Sequence, residues 1–329
     1  MRRAGLTAVS LLVGVLLPGA ACKKQMQTGY PDKVIATIPI GGDPTDIAVL
    51  PAGDFVYVSN EVVEYVTVLK VATRSVVAHV PVGGAPYMLA ARPDGKFVYV
   101  SSQDSNLVAV IRTSDNSVVA NVPVGESPHR LCFSPDGAFC YVACQNTSTV
   151  AVIRTSDNTV VASVPVGNTP RDVDCLPGGD FLYTANISEA TLSKVRTSDN
   201  TLVGTVELPF TAHRVRAMPG GAYVYASEYD GSRIAVVSTA SDRVEVVIDL
   251  VESSAGGMCF VEDGAYLCVA SSSYDGGFVT VISTPDNEVV DSVQTGDGPT
   301  SVRGSADGSL VASSDRESQT VTLVGRSGD

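Results

Sequence analysis

Apolar residues along this chain fall in short runs broken by Gly, Pro, Asp or Asn, and the same pattern returns again and again from about residue 33 onward. Lys96-Phe97-Val98-Tyr99-Val100 and Leu107-Val108-Ala109-Val110-Ile111 are apolar on both faces of a strand. That is the pattern of a strand sandwiched between neighbouring sheets. Pro93-Asp94-Gly95 and Thr113-Ser114-Asp115-Asn116 punctuate these runs as turns. No segment has a helical period.

The runs are organised by a repeat. Gly41, Gly83, Gly125 and Gly167 stand 42 residues apart, and Gly53, Gly95, Gly137, Gly179 and Gly221 keep the same step, followed by Gly264 and Gly308 after slightly longer ones. Four residues after each turn glycine of the second ladder comes Tyr57, Tyr99, Tyr141, Tyr183 and Tyr225, then Cys268 and Ala312 in the last two units. Four short strands per unit of this length define a propeller blade. The fourth-strand segments, at 33–40, 75–82, 117–124, 159–166, 201–208, 243–250 and 287–294, count seven. The first stands alone before any first strand, and the last unit stops after its third. The sequence therefore predicts an all-β, seven-bladed β-propeller over residues 33–329, with four antiparallel strands per blade. Segment 33–40 is expected to complete the last blade and leave no open sheet edge at the closure.

The amino terminus reads as an address. Arg2 and Arg3 precede an apolar stretch from Leu6 to Leu17, then Pro18-Gly19-Ala20-Ala21-Cys22. This is the layout of a secretory signal over residues 1–21, too short and wrongly flanked for a membrane span. Cys22 is the candidate for lipidation, although Gly19 stands where lipoprotein sites usually carry Leu; ordinary cleavage before Cys22 is the alternative. Residues 22–32 read as a polar tether. The expected location is outside the cytoplasm: an outer-membrane or cell-surface lipoprotein, otherwise periplasmic or extracellular.

Charge narrows the partners. The chain carries a formal net charge of −13 and no basic run after Lys23-Lys24, which disfavours nucleic acid. Contact with a membrane is expected only through a lipid on Cys22, and the chain is expected to be a monomer.

With the repeat in view, a resemblance appears. Tyr57-Val58-Ser59-Asn60 and Tyr183-Thr184-Ala185-Asn186, with looser copies at Tyr99-Val100-Ser101-Ser102, Tyr141-Val142-Ala143-Cys144 and Tyr225-Ala226-Ser227-Glu228, resemble the YVTN seven-bladed propeller repeats of bacterial and archaeal secreted and surface-layer proteins. The Pro-Asp-Gly turns and Val-Pro-Val-Gly segments add to the likeness, which spans about residues 33 to 325. It implies the fold strongly and a binding or surface role weakly, because fold does not fix function.

Candidate chemistry is sparse. Asp and Asn in the recurring turns are explained by turn formation and positive φ, and no EF-hand spacing is present. Cys132, Cys140, Cys144, Cys175, Cys259 and Cys268 lack paired metal spacing, so no metal or other cofactor is expected. In an oxidising compartment Cys259 could bridge to Cys268, or Cys144 to Cys175, with buried free thiols as the alternative.

The loops that enter the innermost strands contribute Asp46, Tyr87, Met88, His129, Arg130, Arg171, Asp172, His213 and Arg214. His129-Arg130, Arg171-Asp172 and His213-Arg214 occupy equivalent places in three successive blades, so they are expected to converge near the channel. The candidate ligand-binding residues are Tyr87, His129, Arg130, Arg171, Asp172, His213 and Arg214, able to hold an anionic or carboxylate-bearing group. Satisfying loop backbone and forming ion pairs is the competing role for the same residues. Asp174, Arg216 and Arg303 lie on innermost strands, with an Asp174–Arg216 bridge expected, and His79 reads as a strand surface residue.

Three functions follow. The first is a cell-envelope binding or scaffold module whose channel face takes a protein, glycan or small ligand. The second is a propeller enzyme of lactonase or lyase type at the same face, drawing on His129, His213 and Glu228; no catalytic residue is assigned, for want of a nucleophile motif or carboxylate pair. The third is a structural surface-layer component.

Overall fold

The computed structural model of the protein describes residues 29–250 and 254–327. The signal segment, the Cys22 lipidation site and the tether up to residue 28 lie outside the described residues. Residues 30 and 32, at the end of that tether, already touch the ring: Tyr30 packs edge-on against Tyr266 at 4.8 Å, and the Asp32 N–H donates to the Gly325 carbonyl.

Seven four-stranded antiparallel sheets make up the described chain. The one helical element among the described residues is a 3-10 turn at Glu262–Gly264. In six sheets the strands run in sequence order from the inside outward; the first blade is Pro44–Val49, Phe55–Asn60, Tyr65–Lys70 and Ser75–Pro81. The seventh is discontinuous. Its outermost strand is Lys33–Pro39, paired with Thr320–Gly325 from Lys33 opposite Gly325 to Pro39 opposite Thr320. The chain closes the ring through its own first strand, as the complementary ends predict.

Blades adhere through apolar layers between adjacent sheets. Tyr57, Val66 and Val68 of the first blade pack with Val98, Val100 and Ile111 of the second, all essentially buried. Each such aliphatic side chain contributes about 1.5–3 kcal/mol relative to exposure. The outermost strands are alternately exposed, as in Ser75–Pro81. The two-sided apolar runs are thus the middle strands of each blade.

Two details shape the channel face. First, the register between innermost and second strands slips just after the first residue in five blades, between Pro44 and Asp46, Pro128 and Leu131, Pro170 and Asp172, Ala212 and Arg214, and Pro299 and Ser301. A bulge frees one residue from the ladder and re-aims its side chain; here the residues concerned include His129, Arg171 and His213. Second, the sixth blade departs from the pattern. Its innermost strand is only Met258–Val261, preceded by Gly256-Gly257. An added Cβ on Gly257 would come within 2.8 Å of Ser301 Cα, so no other side chain fits that close approach.

The six described cysteines are free and buried. A Cys144–Cys175 bridge is ruled out by packing: Cys144 sits in the layer between the second and third blades, and Cys175 in the next one, beside Cys132. Cys259 and Cys268 are directly opposed across their hairpin, and their thiols interact by hydrogen bonding in the reduced state.

Candidate functional site

The innermost strands place equivalent residues of different blades at common levels. Tyr87, His129, Arg171 and His213 form the outermost level, at the channel mouth. One residue further along lie Asp46, Met88, Arg130, Asp172 and Arg214. Contacts between blades that are not neighbours show that this second level meets across the axis. Arg130 of the third blade pairs with Asp46 of the first, and both Arg130 and Arg214 of the fifth direct Nη1 toward the Met88 sulfur of the second, at 3.6 and 3.8 Å.

This second level is a buried ionic plug. Asp46 accepts from Arg130, from the Ser301 hydroxyl at 2.6 Å and from the Leu89 N–H at 3.0 Å. Burial opposes ionisation of Asp46, but Arg130 beside it holds the carboxyl below its ordinary value. Asp172 accepts from the Val173 and Val215 N–H groups at 2.8 and 3.3 Å, and stands 3.9 Å from Arg130 Nε and 3.5 Å from Arg216 Nη1. The expected Asp174–Arg216 bridge is present at 4.0 Å, longer than the Asp172 contact. Arg130 and Asp172 therefore belong to the plug, where competing carboxylates and guanidinium groups already occupy them. No carboxylate of the described residues lies within ion-pair distance of Arg214, and burial lowers its pKa to about 10.

The mouth is different in character. Arg171 Nε donates to His129 Nε2 at 3.1 Å, and its guanidinium lies over the Tyr229 ring at 5.2 Å. Two tyrosine–histidine pairs flank it edge to face: Tyr87 with His129 at 4.7 Å, and Tyr229 with His213 at 5.5 Å. Burial, reinforced by Arg214 and Arg171, holds both imidazoles well below the usual histidine range. Both rings are therefore neutral at pH 7, and His129, accepting at Nε2, carries its proton on Nδ1. Buried His129 Nδ1 and His213 Nε2 have no hydrogen-bond partner. Across the mouth the same level holds only Thr45, Gly256 and Thr300, so one half of the rim is basic and aromatic and the other is small.

Tyr87, His129, Arg171 and His213, expected to converge near the channel, lie together at the mouth, and Tyr229 joins them from the loop after Tyr223–Glu228 with no repeat signal to mark it. Glu228 is not at the mouth chemistry: both its carboxylate oxygens are taken by Arg233, at 2.5 and 2.9 Å. His79 lies exposed on the outermost strand, its Nδ1 3.3 Å from the Thr67 hydroxyl. Among the described residues no group of three or more His, Cys, Asp or Glu side chains could hold a metal ion.

Fold and channel together define the class: a seven-bladed β-propeller with a plugged channel and a cationic, aromatic-flanked mouth. The sequence profile of the family described as Lactonase, 7-bladed beta-propeller, matches residues 23–118. Among solved structures, Kuenenia stuttgartiensis Hydrazine Synthase is similar, with a TM-score of 0.78 and 22% identity over 94% of this chain and 100% of that one. That likeness is one of fold alone. No curated protein matches this chain.

Proposed function

We propose that this protein is a binding propeller that takes a carboxylate-bearing ligand at the mouth built by Tyr87, His129, Arg171 and His213. Arg171 carries the reading. Its Nε is held by His129 and its plane by Tyr229, while no carboxylate of the described residues lies within ion-pair distance of it. A planar guanidinium fixed in this way, with its terminal nitrogens free, is preorganised for bidentate capture of a carboxylate. The half-rim of Thr45, Gly256 and Thr300 leaves room for the rest of the ligand.

Calorimetric titration with acetate, benzoate and glucuronate tests this. At least one should bind, and R171Q should weaken that binding at least tenfold, about the worth of a charge-assisted pair. Undetectable binding of all three, or equal affinity in R171Q, refutes the proposal.

The profile match favours a second reading, a lactonase acting at the same mouth. Within it, His213 Nε2 is the candidate base, because Glu228 is engaged by Arg233 and His129 Nε2 by Arg171. Hydrolysis of a sugar δ-lactone that disappears in H213Q supports this reading, and hydrolysis at the uncatalysed rate removes it.

Location belongs to the same proposal. The leader and Cys22 favour export and a lipid anchor, and the Tyr-Val-Ser-Asn copies favour placing the chain among YVTN-type surface propellers. Detergent-phase partitioning that is lost in C22S is the expected result.

A further inference from the structure

Beyond the plug, on the side away from the mouth, lies another level of the channel. It consists of the innermost-strand residues paired with the tyrosine ladder: Ala48 opposite Tyr57, Ala90 opposite Tyr99, Asp174 opposite Tyr183, Arg216 opposite Tyr225 and Arg303 opposite Ala312, with Cys132 and Cys259 of the third and sixth blades completing the ring. Arg216 Nε and Arg303 Nη1 each donate to the same acceptor, the Met258 carbonyl, at 2.9 Å. Each guanidinium is pinned further by the carbonyl before it, Val215 at 2.8 Å and Val302 at 2.6 Å. Two cations are therefore fixed side by side on one oxygen.

Their charges are not balanced alike. Arg216 has Asp172 and Asp174 within ion-pair distance, whereas no carboxylate of the described residues reaches Arg303. Both arginines also keep an Nη2 with no hydrogen-bond partner. A buried guanidinium with unpaired donors and no counter-charge is costly. Around the same level Ala48 and Ala90 are small, and Ala90, Asp174 and Arg303 are partly exposed, so this side opens to solvent.

We infer that Arg303 and Arg216 form a second anion site, separate from the mouth, that takes a small oxyanion of the carboxylate, sulfate or phosphate kind. The anion supplies the missing counter-charge and bridges the two guanidinium groups.

Thermal unfolding of the full chain in phosphate, sulfate, acetate and chloride at matched ionic strength tests it, since a ligand that binds the folded state raises Tm. The expected result, read in the R171Q background so that the mouth contributes nothing, is a Tm rise in at least one oxyanion over chloride that is lost on adding R303Q; which oxyanion acts identifies the source. No rise in R171Q, or a rise that survives in R171Q/R303Q, overturns the inference. If R303Q does not fold, the Arg303 Nε–H resonance of the wild type replaces it. A saturable shift of that resonance on titration with the active oxyanion is expected, and an unmoved resonance has the overturning meaning.

Discussion

Tyr183 donates its phenolic hydroxyl to the Asp242 carboxylate at 2.7 Å, across the seam between the fourth and fifth blades. The same bond recurs from Tyr57 to Asn116, Tyr99 to Asn158 and Tyr225 to Asn287. In each case the acceptor is the positive-φ residue of the hairpin joining the third and fourth strands of the next blade. This explains where the tyrosine ladder stops. The acceptor for Ala312 would be Arg74, which offers no acceptor oxygen, and the corresponding hairpin for Cys268 does not exist, because there the seventh blade is assembled from the two ends of the chain.

At the fourth seam the acceptor is Asp where others are Asn, and the reason is Lys194. Its Nζ contacts both Asp242 oxygens at 2.9 and 3.0 Å and the Thr239 carbonyl at 3.1 Å, above the Phe181 and Tyr183 rings. D242N alone should destabilise by about 3 kcal/mol, because it strands a largely buried ammonium. K194V/D242N, which recreates the neighbouring seams, should return to within about 1 kcal/mol of the wild type. Urea unfolding of both variants checks this; additive losses would show that the pair is not coupled.

The fold was legible because its determinants are local and repeated. Glycine steps and two-sided apolar runs recur in nearly every blade, so each copy corroborates the others. The mouth was half legible: His129, Arg171 and His213 share one repeat position, and position alone makes them neighbours. What decides their chemistry was not. Which carboxylate reaches which arginine across the axis, as with Asp46 and Arg130, depends on the order of blades around a ring and on bulges that re-aim side chains. Tyr229 has no counterpart at its position, so nothing in the repeat pointed to it.

Ring closure makes the first strand indispensable. Removing residues 33–40 would expose the ladder groups of Thr320–Gly325 as a free edge and, by taking away Ile38, uncover Leu310, Val321 and Leu323, with which it is buried. Such an edge is a template for association. The truncated protein should aggregate, or melt well below the full chain, when followed by size exclusion and calorimetry; an unchanged Tm would contradict the closure.

Asp315 is a fully buried carboxyl whose side-chain donors are hydroxyls: Ser313 at 2.7 Å, Thr320 at 3.1 Å and Thr322 at 2.6 Å. Burial raises its pKa above the ordinary value. A raised acid favours the protonated folded state, so its contribution is complete below about pH 3.9 and is lost as pH climbs through the folded value. Equivalent positions in other blades carry Asn60 and Asn186, and Asn186 donates to Thr191 and Ser193, the counterparts of Thr320 and Thr322. D315N should therefore stabilise the protein at neutral pH by about 1 kcal/mol and should have less effect on acidification. A variant less stable than the wild type at pH 7 would mean that the carboxylate is needed.

His129 and His213 work in the opposite direction. Both are held neutral in the folded chain by burial and by neighbouring guanidinium groups, whereas in the unfolded chain each takes up a proton near pH 6.5. Above that pH both states are neutral and nothing is lost. As pH falls below it, the unfolded state binds protons that the folded state refuses, and stability drops by up to about 2.7 kcal/mol per pH unit for the two together. Urea midpoints at about pH 7.5, 6.5 and 5.5 should therefore fall at the lowest pH. H129Q and H213Q should each remove about half of that fall, and the double variant nearly all of it. The same neutrality fixes the behaviour of the mouth: a carboxylate held by Arg171 should bind with nearly constant affinity between about pH 8 and pH 6.5, since no imidazole gains charge there. Affinity that climbs steeply across that interval would show a histidine titrating in the folded protein.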